Sequence, residues 1–170
     1  SVAGLPVLVS TDEIRALAAD MLETMYEEPG IGLAAPQVGE AIRLIVVDTT
    51  CTEEDSERSP LVLVNPEIVS REGTVLWTEG CLSVPDYQAE VERAERVRLR
   101  AQDLDGNAIE IDAEELQAVC LQHEIDHLDG ILFIDRISRL RRSLYVNKRR
   151  KELRREDEED EPTHDPRVDL

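Results

Sequence analysis

Two histidines that lie four residues apart on an apolar stripe constrain this chain more than any other feature. The segment Gln122-His123-Glu124-Ile125-Asp126-His127 fits the pattern H-E-x-x-H. On an α-helix, positions i and i+4 share one face, so both imidazoles can converge on a single metal ion. Leu116, Val119 and Cys120 precede the pair at helical spacing, which places the histidines on the buried side. Ionisable groups on a buried stripe need partners, and a bound metal would supply one.

Glu124 indicates what such a site could do. It follows the first histidine directly and would project beside the ligands, where it can take a proton from a water molecule that a metal activates. This arrangement is typical of metal-dependent hydrolases. The alternative is a solvated or simply core-packed histidine pair, and the apolar stripe argues against it.

A catalytic site of this kind needs three protein ligands and one open position. One zinc-protease pattern places a third histidine where this chain has Phe133, so that pattern is excluded. A second protease scheme uses a downstream glutamate, but Glu152 and Glu156 sit in a highly charged region. Upstream, Cys81 follows a predicted strand in a glycine-containing turn, and a thiolate is a good ligand for soft or borderline metals. A zinc endopeptidase remains the alternative if the third ligand lies downstream.

The composition fits one domain in a reducing compartment. A chain of 170 residues with 41% hydrophobic residues can build a single core. No apolar run approaches the roughly 20 residues of a membrane span, and the N-terminus does not resemble a signal peptide. The three cysteines, Cys51, Cys81 and Cys120, are odd in number and widely spaced, which argues against a disulfide framework. We therefore expect a cytoplasmic protein without a membrane or DNA partner.

The net charge of −19 is distributed unevenly. Residues 136–155 carry ten basic residues and the single acid Glu152, whereas the chain on either side is acidic. The pattern predicts a basic helix over residues 136–154 and an acidic, disordered tail over residues 156–170. The acid-rich, lysine-poor surface fits adaptation to high salt, and equally an ordinary acidic protein.

The order of predicted elements indicates an α+β fold, because the strands come in one block between helices. The first helix begins near Ser10 and ends at Pro29-Gly30, and the second covers residues 113–129. Glu72-Gly73 is predicted to close a hairpin, and Asn65-Pro66 to stop the strand before it. The predicted strands cover residues 42–47, 61–64, 67–71, 74–78, 91–101, 108–111 and 131–134.

Three segments together resemble the three sequence motifs of the peptide deformylase family. They are Gly30-Ile31-Gly32-Leu33-Ala34-Ala35-Pro36-Gln37, then Glu79-Gly80-Cys81-Leu82-Ser83, then the histidine segment at residues 122–127. They occur in the family's order at similar spacing. The resemblance implies antiparallel sheets packed around a central metal-binding helix, with a C-terminal helix. It also implies a catalytic domain over residues 1–155 that includes the basic helix. An extended segment before the position of Val7 is missing from this chain, so we expect a trimmed N-terminus.

The resemblance implies hydrolysis of the formyl group from N-formylmethionyl nascent peptides, with release of formate. Cys81, His123 and His127 would bind one divalent metal, and Glu124 would move the proton. The Gln37 side chain and the Leu82 backbone N–H would stabilise the developing oxyanion. Fe²⁺ is the expected physiological metal, whereas Zn²⁺, Ni²⁺ or Co²⁺ can occupy such a site in a purified sample.

The same resemblance implies where the substrate lies. Ile31, Gly32 and Gly80 would offer backbone groups to a peptide in a strand-like pose. Candidates for lining the methionine slot are Ile31, Tyr87, Leu116, Val119 and Cys120. Leu116 and Val119 could equally be ordinary core residues, and Cys120 could be mistaken for a fourth ligand.

The basic helix has two interpretations. In bacterial deformylases a C-terminal helix can dock on the ribosome, and ten basic residues would suit ribosomal RNA phosphate. The helix could equally be solvated and paired with the acidic tail. A catalytically inactive binding module of the same fold is a further alternative, against which the intact ligands, Glu124 and Gln37 argue.

Overall fold

The structure is a computed structural model, and it describes residues 5–6, 11–28, 30–50, 57–81 and 83–160, the last four of them by backbone alone. Two units, residues 1–136 and 137–170, are compact in themselves. The first unit holds helices α1 (Asp12–Glu27) and α2 (Glu115–Leu128), 3₁₀ turns at Ala35–Val38 and Phe133–Arg136, and seven strands, β1 (Gly32–Ala34), β2 (Leu44–Val47), β3 (Leu61–Glu72), β4 (Val75–Cys81), β5 (Val84–Arg93), β6 (Arg96–Gln102) and β7 (Ala108–Glu114).

The strands form two antiparallel sheets. Five of them are ordered β1-β2-β3-β6-β7, and β4 pairs with β5 in a separate two-stranded sheet. Together with the helices they confirm the predicted α+β class.

Strand β2 shows how the two helices sandwich the larger sheet. Successive side chains of a strand point to opposite faces. Ile45 and Val47 therefore join the core that contains α2, whereas Leu44 and Val46 join the core that contains α1. All four residues are fully buried, which explains why this segment is a continuous apolar run instead of an alternating one.

Helix α2 is central to the first unit, since ten of its fourteen residues are buried. Ala118, Leu121, Ile125 and Leu128 pack on the large sheet. The helix ends at Leu128. The backbone N–H of Asp129 donates to carbonyl oxygens of the last turn, and Gly130 then adopts a positive φ of 74°. The predicted helix over residues 113–129 is thus confirmed, with its start at Glu115.

Three local predictions were wrong. Gly73 separates β3 from β4 with a positive φ of 69°, but β3 pairs with β2 and β6 while β4 pairs with β5, so no hairpin forms there. Asn65 adopts a positive φ of 50° at an irregularity in β3, and the strand continues past Pro66. Residues 131–134 form no strand, because Phe133 and Ile134 enter a 3₁₀ turn and are buried against neighbouring elements. Turn residues mark where a chain bends, but tertiary packing selects the strand partners.

The second unit contains α3 (Arg139–Asp160), a helix with exposed leucines at positions 140, 144 and 153. Helical structure includes residues 156–160, which sequence reasoning assigned to the tail. The rest of that predicted tail, residues 161–170, lies outside the described residues. No helix in the described part of the chain is both long and apolar enough to cross a membrane.

Candidate metal centre

Three side chains from β4 and α2 converge on one point. Cys81 is the last residue of β4, and His123 and His127 lie one helical turn apart on α2. The Cys81 Sγ atom is 3.4 Å from His127 Nε2, and the two histidine Nε2 atoms are 3.1 Å apart. One possible ligand atom from each residue lies within 4.8 Å of the other two. These three residues therefore form a group that could hold a metal ion.

The donor set fits a divalent transition metal. One thiolate and two imidazoles suit Zn²⁺ or Fe²⁺, and three protein ligands leave a coordination position open. Burial opposes a charge on Cys81, but hydrogen bonds from His123 and His127 outweigh it and lower the pKa of the thiol to about 5. A cysteine with this pKa is a thiolate at neutral pH, the form that binds metals.

His123 has its orientation fixed from behind. Its Nδ1 atom lies 2.7 Å from Glu79 Oε1, so Nδ1 carries the donated proton and Nε2 faces Cys81 and His127. Burial favours the neutral ring, but the hydrogen bonds to Cys81 and Glu79 outweigh it and raise the pKa of His123 to about 10. A metal at this site therefore has to displace a proton from the imidazole.

Glu124 is buried beside the three candidate ligands. Among the described residues, its Oε2 atom has no hydrogen-bond partner, which is unusual for a buried carboxylate. Burial raises the pKa of Glu124 to about 7, although the nearby His123 and His127 act in the opposite direction. An unpaired carboxylate with a pKa near neutrality can accept and return a proton at physiological pH.

Gln37 reaches the same point from the first 3₁₀ turn. Its Oε1 atom accepts a hydrogen bond from the Ala34 N–H at 2.8 Å. Its Nε2 group lies 3.7 Å from Cys81 Sγ and 3.4 Å from Ser83 Oγ. The amide nitrogen is thus presented to the candidate metal centre. Leu82, the other predicted oxyanion donor, lies outside the described residues.

A cavity of about 810 Å³ opens onto the centre, and Gln37, Cys81, His123 and Glu124 line it. It is also lined by every residue that was predicted to bind substrate: Ile31, Gly32, Gly80, Tyr87, Leu116, Val119 and Cys120. Nine further lining residues were not assigned to the site: Glu28, Gly30, Leu33, Trp77, Thr78, Glu79, Val84, Asp86 and Gln88. Gly30, Leu33 and Glu79 lie inside the sequence motifs. The other six follow α1 or belong to β4 and β5, and the sequence contains no local signal that brings them together.

Gly32 of the first motif lies close against α2. A Cβ atom built on this glycine would lie 2.8 Å from Glu124 Oε1 and 2.9 Å from Cys120 Sγ. The position therefore leaves no room for a side chain. The Cys120 Sγ atom itself lies 3.6 Å from the Ile31 carbonyl oxygen, and burial raises the pKa of this thiol well above its usual value. Cys120 is consequently a neutral thiol, whereas Cys81 is a thiolate.

Sequence reasoning also missed a buried ion-pair network behind the histidines. Arg93 bonds both carboxylate oxygens of Glu79 and one of Asp126, and Arg136 bonds Asp126 from the other side. A signal was available for Arg93, which stands on the inward-facing side of the alternating strand β5, after Ala89 and Val91. Asp126 lies inside the histidine motif on the buried helix face.

Comparison with known proteins yields a consistent result. The family model described as polypeptide deformylase matches residues 4–143. A peptide deformylase of Rhodopseudomonas palustris strain TIE-1 is 52% identical over 151 residues, which cover 88% of this chain and 86% of that protein. One from Alkalilimnicola ehrlichii is 54% identical over 149 residues, covering 88% of this chain and 82% of that protein.

Solved structures of peptide deformylases are also similar to this chain. The crystal structure of a peptide deformylase from Legionella pneumophila is 42% identical with a TM-score of 0.80, covering 95% of this chain and 92% of that chain. The peptide deformylase from Ehrlichia chaffeensis in complex with actinonin is 38% identical with a TM-score of 0.82, covering 89% of this chain and 90% of that chain.

Proposed function

The chain belongs to the polypeptide deformylase family, and from this membership we propose which of its residues perform the family's reaction. The enzyme is a metal-dependent hydrolase of linear amides that removes the N-formyl group from nascent peptides. Its substrates are formylated nascent polypeptides, and the reaction belongs to protein biosynthesis. The specific residue roles, the identity of the metal and the ribosomal contact are our proposals.

Cys81 Sγ, His123 Nε2 and His127 Nε2 would hold one divalent ion, for which we propose Fe²⁺ as the physiological metal. Their convergence within 4.8 Å is the single observation that carries this assignment. A metal bound there would polarise the formyl carbonyl and make a coordinated water more acidic. Zn²⁺, Ni²⁺ or Co²⁺ would fit the same donors in a purified sample.

Glu124 is the proposed proton carrier. It would take a proton from the attacking water and return it to the amine that leaves as the C–N bond of the formamide breaks. Its unpaired Oε2 atom and its pKa of about 7 support both steps. The products are formate and a peptide with an unblocked N-terminal methionine.

Gln37 is the proposed oxyanion donor. Its side-chain N–H group would donate to the formyl oxygen as negative charge develops there, and its fixed orientation supports this role. The backbone N–H of Leu82 remains our second proposed donor, on the basis of family resemblance alone.

The cavity would bind the peptide in an extended pose along the backbones of Ile31, Gly32 and Gly80. The methionine side chain would enter the apolar part near Leu116, Val119 and Cys120, with Tyr87 beside it. The presence of all these residues in the lining of one cavity supports the proposal.

The decisive experiment measures formate release from a formyl-Met peptide under anaerobic conditions, with metal analysis of the same sample. We expect one formate for each peptide that loses its formyl group, and about one metal ion per chain. Cleavage of internal peptide bonds without formate would favour the zinc endopeptidase alternative. Metal-loaded protein that releases no formate would favour the inactive binding module.

For the second unit we propose that the basic side chains of α3 bind ribosomal RNA phosphate. In the full-length chain, Arg141, Arg142, Arg149 and Arg150 would be changed to glutamine, and ribosome co-sedimentation would be measured. Binding should fall, whereas changing Arg98 and Arg100 of β6 to glutamine should leave it unchanged. Undiminished co-sedimentation of the α3 variant would refute this role and favour a solvated helix.

The catalytic domain is proposed to span residues 1–155, including the basic helix. The disordered tail predicted for residues 156–170 is wrong at residues 156–160, which are helical, and its remainder lies outside the described residues. Because the substrates emerge from ribosomes, we propose a cytoplasmic location. Fractionation of cells that express the tagged full-length chain would test it.

A further inference from the structure

A chain of hydrogen-bonded ionisable groups connects the proposed metal ligand His123 with the protein surface. His123 Nδ1 lies 2.7 Å from Glu79, whose two oxygens accept hydrogen bonds from Arg93 at 2.7 and 2.8 Å. Arg93 Nη1 also donates to Asp126 at 2.5 Å. Arg136 then donates to both oxygens of Asp126, at 2.9 and 2.6 Å. Exposure rises only at the end of the chain, from 3% for Arg93 to 43% for Arg136.

When His123 is the neutral imidazole that binds a metal, the charges of this chain balance only if Arg136 is included. Glu79 and Asp126 are both buried carboxylates, with side-chain exposures of 5% and 9%. In that state Arg93 alone would have to neutralise both of them. Buried carboxylates that share one cation are costly, and a buried charge that loses its partner destabilises its surroundings strongly.

We propose that Arg136 is a positioning residue that acts on the metal centre through Asp126, Arg93 and Glu79. By satisfying Asp126 from the outer side, Arg136 leaves Arg93 bound through both Nε and Nη2 to Glu79. Glu79 in turn orients the His123 ring. Without Arg136, Arg93 is drawn towards Asp126, and the hold of Glu79 on His123 weakens. The inference rests on the proposed ligand set, because it assumes that His123 binds the metal.

The sequence position of Arg136 explains how a surface residue can reach this network. It is the last residue of the 3₁₀ turn Phe133–Arg136, which is separated from the end of α2 at Leu128 by residues 129–132. The preceding Phe133 is buried, and its ring stacks near His123 at a centroid distance of 6.3 Å. The turn therefore returns towards the metal centre and places the guanidinium against Asp126.

The chain offers a matched control at the same end of α2. Arg43 donates to Asp129 at 2.8 Å in another arginine–aspartate pair. This pair also fastens the C-terminal end of α2, but the described contacts do not connect it to Glu79 or His123. If Arg136 only stabilised this end of α2, replacing Arg43 should therefore affect metal binding in the same way as replacing Arg136.

The test compares full-length Arg136→Met, Arg136→Lys and Arg43→Met, each loaded with Co²⁺ or Zn²⁺. The rate of metal loss to a chelator, the Co²⁺ absorption spectrum and the free energy of unfolding are measured. Groups that orient a metal ligand typically change affinity 10–100-fold, so we expect Arg136→Met, which acts at one remove, to lose metal roughly three- to tenfold faster. Its Co²⁺ bands should shift. Arg136→Lys should be intermediate, because lysine cannot form the bidentate pair. Arg43→Met should match the wild type in the rate of metal loss and in the Co²⁺ spectrum.

A double variant separates the proposed route from a general effect. In a Glu79→Gln background, Arg136→Met should add little to the rate of metal loss, because the link to His123 is already broken. If Arg136→Met accelerates metal loss in the Glu79→Gln background by the same factor as in the wild type, the inference is overturned. An unchanged Co²⁺ spectrum and an unchanged rate of metal loss in the single variant Arg136→Met would also overturn it. Cys81→Ala is the reference: if it keeps its metal, the proposed ligand set itself fails. If it loses metal while Arg136→Met behaves as wild type, only the positioning role fails.

Discussion

The backbone N–H of Ala34 donates to the side-chain oxygen of Gln37 at 2.8 Å, and this one contact decides which end of the amide faces the metal centre. With Oε1 occupied, Nε2 is the end that lies near Cys81 and Ser83. An oxyanion donor is most effective when it is already oriented, because no reorganisation is needed during the reaction. The first motif therefore supplies both the proposed donor and the group that orients it.

Replacing Gln37 by glutamate tests the donor separately from its shape. Gln37→Glu keeps an oxygen for Ala34 but removes the N–H donor and adds a negative charge. We expect kcat/KM for a formyl-Met peptide to fall on the order of 10²–10³-fold or more, as for the loss of an oxyanion donor elsewhere. Metal content and the free energy of unfolding serve as controls. Wild-type kcat/KM in this variant would contradict the role.

Glu124→Gln should separate proton transfer from metal binding. The variant keeps the volume of the buried side chain but cannot accept a proton. Positioned acid–base groups typically contribute about 10²–10⁴-fold, so kcat should fall by this factor while the metal remains bound. Formate release and metal content are measured on the same preparation. Parallel loss of metal and activity would indicate a role in holding the metal instead.

Cys81→Ala, unlike Glu124→Gln, should lose the metal itself. Removing the thiolate leaves two imidazoles, and we expect the purified variant to contain little metal even after incubation with Fe²⁺ or Zn²⁺ under anaerobic conditions. Cys120→Ala is the matched control, since Cys120 is a buried neutral thiol in the cavity wall. Full metal occupancy in Cys81→Ala would contradict the assignment of the third ligand.

Gly32→Ala should impair activity through a steric clash. The added methyl would lie within 3 Å of both Glu124 and Cys120, so the carboxylate has to move. We expect a drop in kcat with the metal retained. Gly30→Ala is the control, because a Cβ there would meet only ordinary contacts of 3.5–3.8 Å. Equal kcat for the two variants would show that Glu124 tolerates the displacement.

Metal uptake should release a proton near neutral pH. In the absence of metal, His123 with a pKa of about 10 is protonated at pH 7, whereas Cys81 with a pKa of about 5 is already a thiolate. Binding should thus release about one proton between these pKa values and about two below the lower one. Apparent affinity should fall about tenfold for each unit that the pH drops between about 10 and about 5, and about a hundredfold per unit below that range. Calorimetry in buffers of different ionisation enthalpy measures the proton count, and a count of zero at pH 7 would contradict the paired state of Cys81 and His123.

The sequence was most informative where chemistry demands fixed local spacing. His123 and His127 lie four residues apart on one helix, so their common face followed directly from the residue numbers, and Glu124 follows His123 beside that face. Strand β2 was predicted from its continuous apolar residues, and its burial between two helices explains why no polar residue interrupts it. The three motifs placed the family, and the comparisons confirmed it.

The sequence was least informative where distant segments meet. Glu72-Gly73 does mark the end of β3, but the strands on either side belong to different sheets, since pairing depends on which surfaces become buried. The Glu79–Arg93–Asp126–Arg136 network escaped prediction for a similar reason. Its members come from strands, a helix and a 3₁₀ turn, and a single charged residue does not indicate its partner.

By itself, then, the sequence determined the helix that carries two of the proposed metal ligands and the proposed proton carrier, because α-helical periodicity is a local property of the chain. Only the tertiary structure decided that Cys81 Sγ comes within 3.4 Å of His127 Nε2, that Gln37 turns its nitrogen inwards, and that Arg136 reaches the buried Asp126. These contacts join residues that are far apart in the chain, and they form because the sheets and α2 bury their apolar faces against each other.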